Sequence, residues 1–272
     1  MSLSATRSLS VTITGSGTPL VTAGRAGPGA LVRHGDTAIQ VDAGRATALR
    51  VTEAGLPITE LDALLVTHHH SDHLLGIPDL VLARWIANGP APCPALPVHC
   101  PEGPVVDYLA HLFDEIGPDI DSRRGVTGYP DDPHPAILAF DAPTHSPTEV
   151  ARYGDVLIEA TTVDHGDLEP AVAFRFSTAD GAIVVSGDTQ VCPALEELAR
   201  GADILVHEAF AGALLVRRGA PEGFIENLRH HHAESRKVGE MAARLEVPTL
   251  VITHMIPGPA SPEETALFHD EI

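Results

Sequence analysis

The sequence predicts an α+β fold, a four-layer αββα sandwich, and three observations lead to this prediction. Short apolar runs typical of buried strands alternate with segments of helical period, in the order strands, helices, strands, helices. At 272 residues and 44% hydrophobic content, the chain can bury a large core or two fused halves. No internal repeat or low-complexity tract interrupts this order. We therefore expect a single domain over residues 1–272, built from two αβ halves with a seam around residues 117–135.

Five apolar runs predict buried strands, and each is followed by residues that can bind a metal. They are LDALLVT (61–67) before His68, VLIEATTV (156–163) before Asp164 and His165, AIVVS (182–186) before Gly187 and Asp188, ILV (204–206) before His207 and Glu208, and TLVIT (249–253) before His254. In sheets covered by helices, ligands bind beyond the strand ends, where loops carry the chemistry. The repeated position therefore predicts a metal site at one edge of the sandwich.

Helices are predicted between these strands. Residues 76–88 have Pro78 in the first turn and one apolar face, and residues 104–116 and 233–245 follow the same period. Residues 117–135 are rich in Asp, Pro and Gly, so we predict a loop there and place the seam between the halves in it.

Composition and charge exclude several classes of protein. With 37 acidic against 17 basic residues and a formal charge of −20, the chain does not suit a protein that grips phosphate backbones. A small anionic substrate stays compatible, because two divalent cations would add about +4 at the site. Three cysteines without a C-x-x-C pair indicate a reducing, cytoplasmic compartment. No apolar run approaches the roughly 18 residues of a membrane helix, and residues 1–10 lack the apolar core of a secretory signal.

A histidine-rich string with the pattern H-x-H-x-D-H begins directly after the first of the five strands. His68 and His70 are two residues apart in extended chain, so both rings point to one side. Asp72 and His73 follow after the chain turns and can serve a second metal ion. Imidazole and carboxylate groups suit Zn²⁺, Mn²⁺ or Fe²⁺. A solvated loop or a chance tract would not explain why four more strands end in the same way.

This string and its surroundings resemble the metallo-β-lactamase superfamily, in particular its ribonuclease Z and arylsulfatase-like branch. The motifs occur in the order found in that branch: TGSGTP (14–19), VDAG (41–44), THHHSDHLLG (67–76), His165, SGDT (186–189), HEA (207–209) and TH (253–254). The similarity extends over nearly the whole chain. It implies the metallo-β-lactamase fold, a pair of divalent metal ions, and hydrolysis by a hydroxide that bridges them.

The resemblance also implies which residues hold the metal ions. His68, His70 and His165 are similar to the ligands of the first ion, and Asp72, His73 and His254 to those of the second, with Asp188 as the bridging carboxylate. Asp72 is also expected to be catalytic, because it would orient the nucleophile. We expect two zinc ions, with manganese or iron as alternatives.

A proton donor for the leaving group is expected just before the last long helix. There His232 resembles the catalytic histidine of the branch's H-S-T or H-x-S segment. His231 is the alternative proton donor, and the interpretation without a function is a solvated histidine at a helix start. His207 and Glu208 are expected to form part of the wall of the active site. Asp42 is expected to brace the metal loop rather than to bind metal.

Ribonuclease Z proper carries an arm that grips tRNA, inserted between the motifs that correspond to His165 and Asp188. Here residues 166–187 leave room only for two strands, 171–178 and 182–186, around a turn. We therefore expect a small ester or phosphodiester substrate and no nucleic-acid partner. The alternatives within this class are a tRNA 3′-processing endoribonuclease, a sulfatase and a lactonase.

Two alternatives come from other classes of protein. The same ligand set holds iron in some dioxygenases of the superfamily, and a metal-binding protein without catalysis would carry it as well. Arg217 and Arg218 could meet an anionic substrate, but solvated surface is the simpler interpretation. A homodimer is compatible with the sequence, and no membrane partner is expected.

Overall fold

The computed structural model describes residues 8–129 and 132–272 and contains two six-stranded sheets. In the first sheet the strands lie in chain order: β1 (Ser10–Gly15), β2 (Gly29–His34), β3 (Thr37–Val41), β4 (Ala63–Leu65), β5 (Pro97–Pro101) and β6 (Ala136–Phe140). The first three are antiparallel, and β3 to β6 are parallel.

The second sheet also follows chain order. Its strands are β7 (Thr148–Tyr153), β8 (Val156–Thr162), β9 (Val172–Thr178), β10 (Gly181–Val185), β11 (Ile204–Phe210) and β12 (Thr249–Ile256). The strands from β7 to β10 are antiparallel, whereas β10, β11 and β12 are parallel.

Helices accompany both sheets. Those of the first half are α1 (Thr47–Glu53), α2 (Ser71–Leu74), α3 (Ile77–Asn88), α4 (Pro104–Ala110) and α5 (Gly117–Thr127). Those of the second half are α6 (Pro193–Ala199), α7 (Gly212–Arg217), α8 (Glu222–Arg229), α9 (Ser235–Arg244) and α10 (Pro262–Glu271). None of the helices in the described ranges has both the length and the apolar character needed to cross a bilayer.

Alternation along the strands separates three apolar layers. Ile39, Val41 and Leu65 of the first sheet meet Ile158 and Phe174 of the second in the central core. The opposite face of the first sheet packs on α3 and α4, and that of the second packs on α6 and α9. Burial on both faces explains why the parallel strands appear as unbroken apolar runs. The predicted αββα sandwich is thus confirmed.

Three sequence-based boundaries were wrong. Residues 117–127, predicted as a loop, form α5, in which Pro118 occupies the first turn and Ile120 is buried. Proline at that position favours a helix start, so a composition rich in Asp, Pro and Gly did not exclude a helix. The helix predicted over residues 104–116 ends at Ala110, and a short 3₁₀ turn, Asp114–Ile116, follows it.

The third wrong boundary is the seam. Because β6 pairs with β5, the chain leaves the first sheet only in residues 141–147, after the predicted region 117–135. Residues 130 and 131 of that predicted loop, and residues 1–7 of the segment predicted not to be a secretory signal, lie outside the described residues.

Candidate metal centre

The histidine-rich loop lies between β4 and α3 and is pinned by close backbone contacts. A Cβ atom on Gly76 would lie 1.9 Å from the carbonyl oxygen of Gly44, and one on Gly44 would lie 2.5 Å from that of Asp72. Only glycine allows this approach. The amide of Ala43 donates to the His73 carbonyl at 2.9 Å, which joins the turn after β3 to the loop.

All seven residues that the sequence analysis expected at the metals come together. Two sets of potential ligand atoms each lie within 4.8 Å of one another, one formed by His68, His70, His165 and Asp188 and the other by Asp72, His73 and His254. Oδ2 of Asp188 lies between the sets, 3.9 Å from Nε2 of His68, 3.4 Å from Nε2 of His73 and 3.2 Å from Nε2 of His254. This central position is the one that a bridging carboxylate requires.

Hydrogen bonds fix the orientation of two rings on the histidine-rich loop. Oγ1 of Thr67 has one hydrogen, and it donates that hydrogen to Oδ2 of Asp42 at 2.8 Å. Nδ1 of His68 lies 2.9 Å from Oγ1 of Thr67. Because the hydrogen of that hydroxyl is already engaged, Nδ1 of His68 must donate to it. Nδ1 of His73 donates to Asp42 at 2.7 Å. In both rings Nε2 is therefore the nitrogen that faces the cluster, and Asp42 has the bracing position that the sequence analysis expected.

A third ring is fixed by the backbone of the second half. Nδ1 of His165 donates to the carbonyl of His231 at 2.6 Å, so its Nε2 carries a lone pair. That atom lies 3.2 Å from Nδ1 of His70. A shared cation relieves the repulsion between two such nitrogens when both are unprotonated.

His254 reaches the cluster through a β-bulge. The pairing of β11 with β12 shifts between Glu208 and Ala209, so that Thr253 and Met255 are paired and His254 is the extra residue. Its φ of 38° is in the left-handed region, which is costly for a residue with a Cβ. The bulge aims its Nε2 at Asp72, 3.3 Å away, as bulges beside active sites commonly do.

Charge is tightly balanced inside the cluster. Burial lowers the pKa of His73, but the carboxylates of Asp188 and Asp42 outweigh it and hold that pKa well above its usual value. Burial would raise the pKa of Asp188, yet His254 and His73 hold it well below its usual range. A proton on His73 therefore balances the carboxylates, and a metal ion bound by His73 has to displace it.

The donor set fits divalent cations. Nε2 of His68, Nε2 of His73 and Oδ1 of Asp188 are buried without a hydrogen-bond partner among the described residues. Buried polar groups are normally paired, so unpaired ones that converge on one place indicate that an ion completes them. Imidazole and carboxylate groups without thiolates suit zinc, manganese or iron.

His232 lies beside the cluster and is paired with a buried carboxylate. Its Nδ1 donates to Oε1 of Glu208 at 2.8 Å, and it groups with Asp188 and His254 as a potential ligand set. Burial lowers its pKa, but the charge of Glu208 and the hydrogen bond to it outweigh burial and raise the pKa to about 9. A group with that pKa is protonated at neutral pH and can donate a proton.

Neighbouring residues differ from His232. Nδ1 of His231 lies 3.0 Å from the carbonyl oxygen of Asn227 in its own helical turn, and its ring meets His165 edge-on with centroids 6.1 Å apart. Its hydrogen-bond contact with His165 is through its backbone oxygen. The sequence analysis placed Glu208 in the active-site wall but did not recognise it as the partner of His232. Glu208 and His232 are separated by 24 positions in the sequence. No local sequence pattern therefore indicates that they form a pair.

The remaining expectations concern the periphery. Arg218 pairs with Glu264 on the surface, in agreement with the solvated interpretation. Residues 166–187 hold only β9 and β10 and their connections, so the described structure has no protruding arm there.

Comparisons with known proteins agree with this geometry. Residues 36–255 match the model of the β-lactamase superfamily domain. The chain is 34% identical to a protein named Ribonuclease Z from Mycobacterium sp. (strain KMS) over 260 residues, which are 95% of this chain and 87% of the relative. It is 32% identical to the Ribonuclease Z of Mycobacterium bovis (strain BCG / Pasteur 1173P2), covering 94% of this chain and 90% of the relative.

Solved structures share the fold at low sequence identity. The metallo-β-lactamase fold protein YhfI from Bacillus subtilis superposes with a TM-score of 0.68 at 21% identity, covering 96% of this chain and 90% of its own. The short form of human tRNase Z gives a TM-score of 0.68 at 18% identity, with 90% and 92% covered.

Proposed function

Because the chain belongs to the metallo-β-lactamase superfamily and is a hydrolase of that fold, we propose that it cleaves small phosphodiesters with two divalent metal ions. The observation that carries this proposal is the convergence of seven side chains around Asp188. His68, His70 and His165 would hold one ion, and Asp72, His73 and His254 the other, with Asp188 shared between them. Among the candidate metals we favour zinc, because each set is rich in imidazole.

When bound, the two cations supply a nucleophile at neutral pH and stabilise the negative charge of the phosphoryl group under attack. The residues of the chain do the rest. Asp72 places a carboxylate oxygen 3.3 Å from Nε2 of His254, where it can accept a hydrogen bond from the attacking water and orient it. The Asp42 and Thr67 network keeps the rings of His68 and His73 turned inward.

His232 would complete the reaction at the leaving oxygen. Its Nδ1–H is engaged by Glu208, so Nε2 faces the cluster and can give its proton to the departing alkoxide. The alcohol then leaves neutral, and His232 regains a proton from water. Glu208 is itself held by the amide of Thr189 at 2.9 Å, which keeps the histidine aimed.

The direct test is a panel of chromogenic substrates: a phosphodiester, a sulfate ester, a carboxylic ester and a lactone. The proposal predicts that phosphodiester turnover is fastest, is abolished by chelation and returns with Zn²⁺. Faster turnover of the sulfate, the ester or the lactone would contradict the substrate class. Iron as the only activating metal, together with oxygen uptake, would favour the dioxygenase alternative. If the protein binds metal but turns over none of the four substrates, a metal-binding protein without catalysis would be favoured.

RNA is the second candidate substrate, favoured by the name that the curated relatives carry. That name weakens the expectation that nucleic acid is not a partner. Against RNA stand the formal charge of −20 and the short connection over residues 166–187, since backbone affinity scales with the Lys and Arg that neutralise phosphates. Anisotropy titration with precursor tRNA at physiological salt decides the matter. We expect no sub-micromolar binding. Cleavage at the tRNA 3′ end would establish RNA as the substrate.

We also propose that the two halves form one domain, because the central core takes residues from both sheets. The chain has three cysteines and no C-x-x-C pair, which suits a cytoplasmic location. A homodimer stays a prediction, which sedimentation velocity would test.

A further inference from the structure

A buried glutamine lies beneath the metal centre, on the first half of the molecule. Gln40 is fully buried on β3, two residues before Asp42. Its Nε2 lies 2.8 Å from the carbonyl oxygen of Asp42, 3.0 Å from that of Val41 and 2.9 Å from Oγ1 of Thr14. The side-chain amide of Gln40 thus holds the backbone of the turn that follows its own strand, β3.

The turn that Gln40 holds is unusual. Asp42 has a φ of 51°, a left-handed conformation that persists only where its surroundings enforce it. This conformation allows its carboxylate to accept from the amide of Thr67 at 2.8 Å, from Oγ1 of Thr67 and from Nδ1 of His73. A carbonyl fixed at one end of Asp42 therefore fixes a carboxylate at the other.

The side-chain amide of Gln40 is tightly enclosed. A Cβ atom on Gly29 would lie 2.7 Å from Nε2 of Gln40 and 2.6 Å from Oγ1 of Thr14, so the strands close tightly around it. Its own Oε1 is buried without a hydrogen-bond partner among the described residues. An apolar side chain of the same size would avoid that unpaired oxygen but would leave the Asp42 carbonyl without this donor, so the glutamine is explained by what its Nε2 holds.

We propose that Gln40 is a positioning residue of the metal centre and acts through Asp42. By holding the Asp42 carbonyl it aims the carboxylate, which orients His73 directly and orients His68 through Thr67. Gln40 therefore supports both proposed metal positions without contacting either set of ligands. This inference rests on the proposed function, because it requires His68 and His73 to be ligands.

The test compares Gln40→Met with Thr14→Val. Methionine keeps the length of the side chain but cannot donate a hydrogen bond to the Asp42 carbonyl. Thr14→Val removes another acceptor of the Gln40 amide and leaves the hydrogen bond from Gln40 to the Asp42 carbonyl intact. Zinc affinity is measured by chelator competition on protein shown to be folded by circular dichroism. Loss of a group that hydrogen-bonds a metal ligand typically weakens binding 10–100-fold, and because Gln40 acts one contact further away through Asp42, we expect a loss of about 10-fold for Gln40→Met. Thr14→Val should bind zinc much as the unmodified protein does.

A double-mutant cycle separates positioning from packing. Asn at position 42 keeps the left-handed turn but cannot accept the hydrogen from His73 in the same way, so Asp42→Asn should itself weaken zinc binding. If Gln40 acts through Asp42, adding Gln40→Met to Asp42→Asn should change affinity by less than about two-fold. Additive losses would overturn the proposal, because they mean that Gln40 acts by another route.

Two further outcomes are distinguishable. If the unmodified protein binds no zinc, the proposed function fails, and the cycle is not needed to see it. If Gln40→Met does not fold, Gln40→Asn is measured instead, since it keeps an amide but withdraws it from the Asp42 carbonyl. Unchanged zinc affinity in whichever variant folds would refute the positioning role.

Discussion

The two halves of the molecule build their parts of the cluster differently. In the first half, four of the proposed ligands lie within residues 68–73 on one loop, and side-chain hydrogen bonds through Asp42 orient two of their rings. In the second half, His165, Asp188 and His254 come from three separate elements. There the backbone aims them, through the His231 carbonyl and the bulge at His254.

This difference separates two ways of making a site rigid. A contiguous loop can be held by one buried carboxylate, because its residues already lie side by side. Ligands spread along the chain have no shared brace, so each depends on a local backbone feature. Gly187, with a φ of 62°, turns the chain into Asp188, and His254 accepts a left-handed conformation. Substitutions in the first half should therefore lower metal affinity, and substitutions in the second half should also lower the free energy of unfolding.

The largest effect is expected at the residue that joins the halves. Asp188 is within 4 Å of Nε2 of three histidines, so Asp188→Ala removes the ligand that both sets share. We expect the protein to lose at least one equivalent of metal and all detectable phosphodiester turnover. Metal analysis after dialysis against excess Zn²⁺ measures this, and two retained equivalents would show that Asp188 is not the bridge.

The next effect separates chemistry from metal binding. His232→Ala should keep both metal ions but lose roughly 10²–10⁴-fold in kcat on a substrate with a poor leaving group. The loss should shrink with nitrophenolate, which leaves without a proton. His231→Ala is the matched control, because the hydrogen bond of His165 to position 231 is through the backbone and survives the change. A larger loss in the control would move the proton donor to position 231.

A smaller effect compares threonine hydroxyls in the two halves. Thr67→Val removes the acceptor of His68 Nδ1 and a donor to Asp42, so zinc affinity should fall about 10–100-fold. Thr189 is equally buried, but its hydroxyl contacts the carbonyls of Asp164 and Gln190 and no imidazole. Thr189→Val should therefore leave zinc affinity nearly unchanged. Equal losses in a chelator titration would mean that ring orientation is not what Thr67 provides.

The last comparison concerns the free energy of unfolding rather than metal binding, and it tests backbone strain in the second half. Gly187→Ala places a methyl group in a left-handed conformation and 2.9 Å from Cβ of Thr67, whereas Gly24→Ala has a φ of 78° and open space. Both should lose about 1–2 kcal/mol of unfolding free energy for the conformation. Gly187→Ala should lose a further 1–3 kcal/mol or so for the overlap. Urea unfolding of metal-free protein measures the difference, and equal losses would show that the Thr67 contact relaxes easily.

The same contrast explains what the sequence could predict. The histidine-rich loop was recognisable because alternation in extended chain and a following turn are local properties. The ligands of the second half were identified through resemblance, since neither His165 nor Asp188 stands out alone. The bulge at His254 depends on a register shift against β11, and the pair of Glu208 with His232 depends on packing between distant segments. The helix α5 was missed because proline marks both loops and helix starts.

The central claim is that the two halves together hold two metal ions. Elemental analysis of the unmodified protein, saturated with Zn²⁺ and passed through a desalting column, tests it most directly. The account predicts two equivalents of zinc per chain, with phosphodiester turnover rising as the second equivalent binds. One equivalent or fewer after saturation would contradict it.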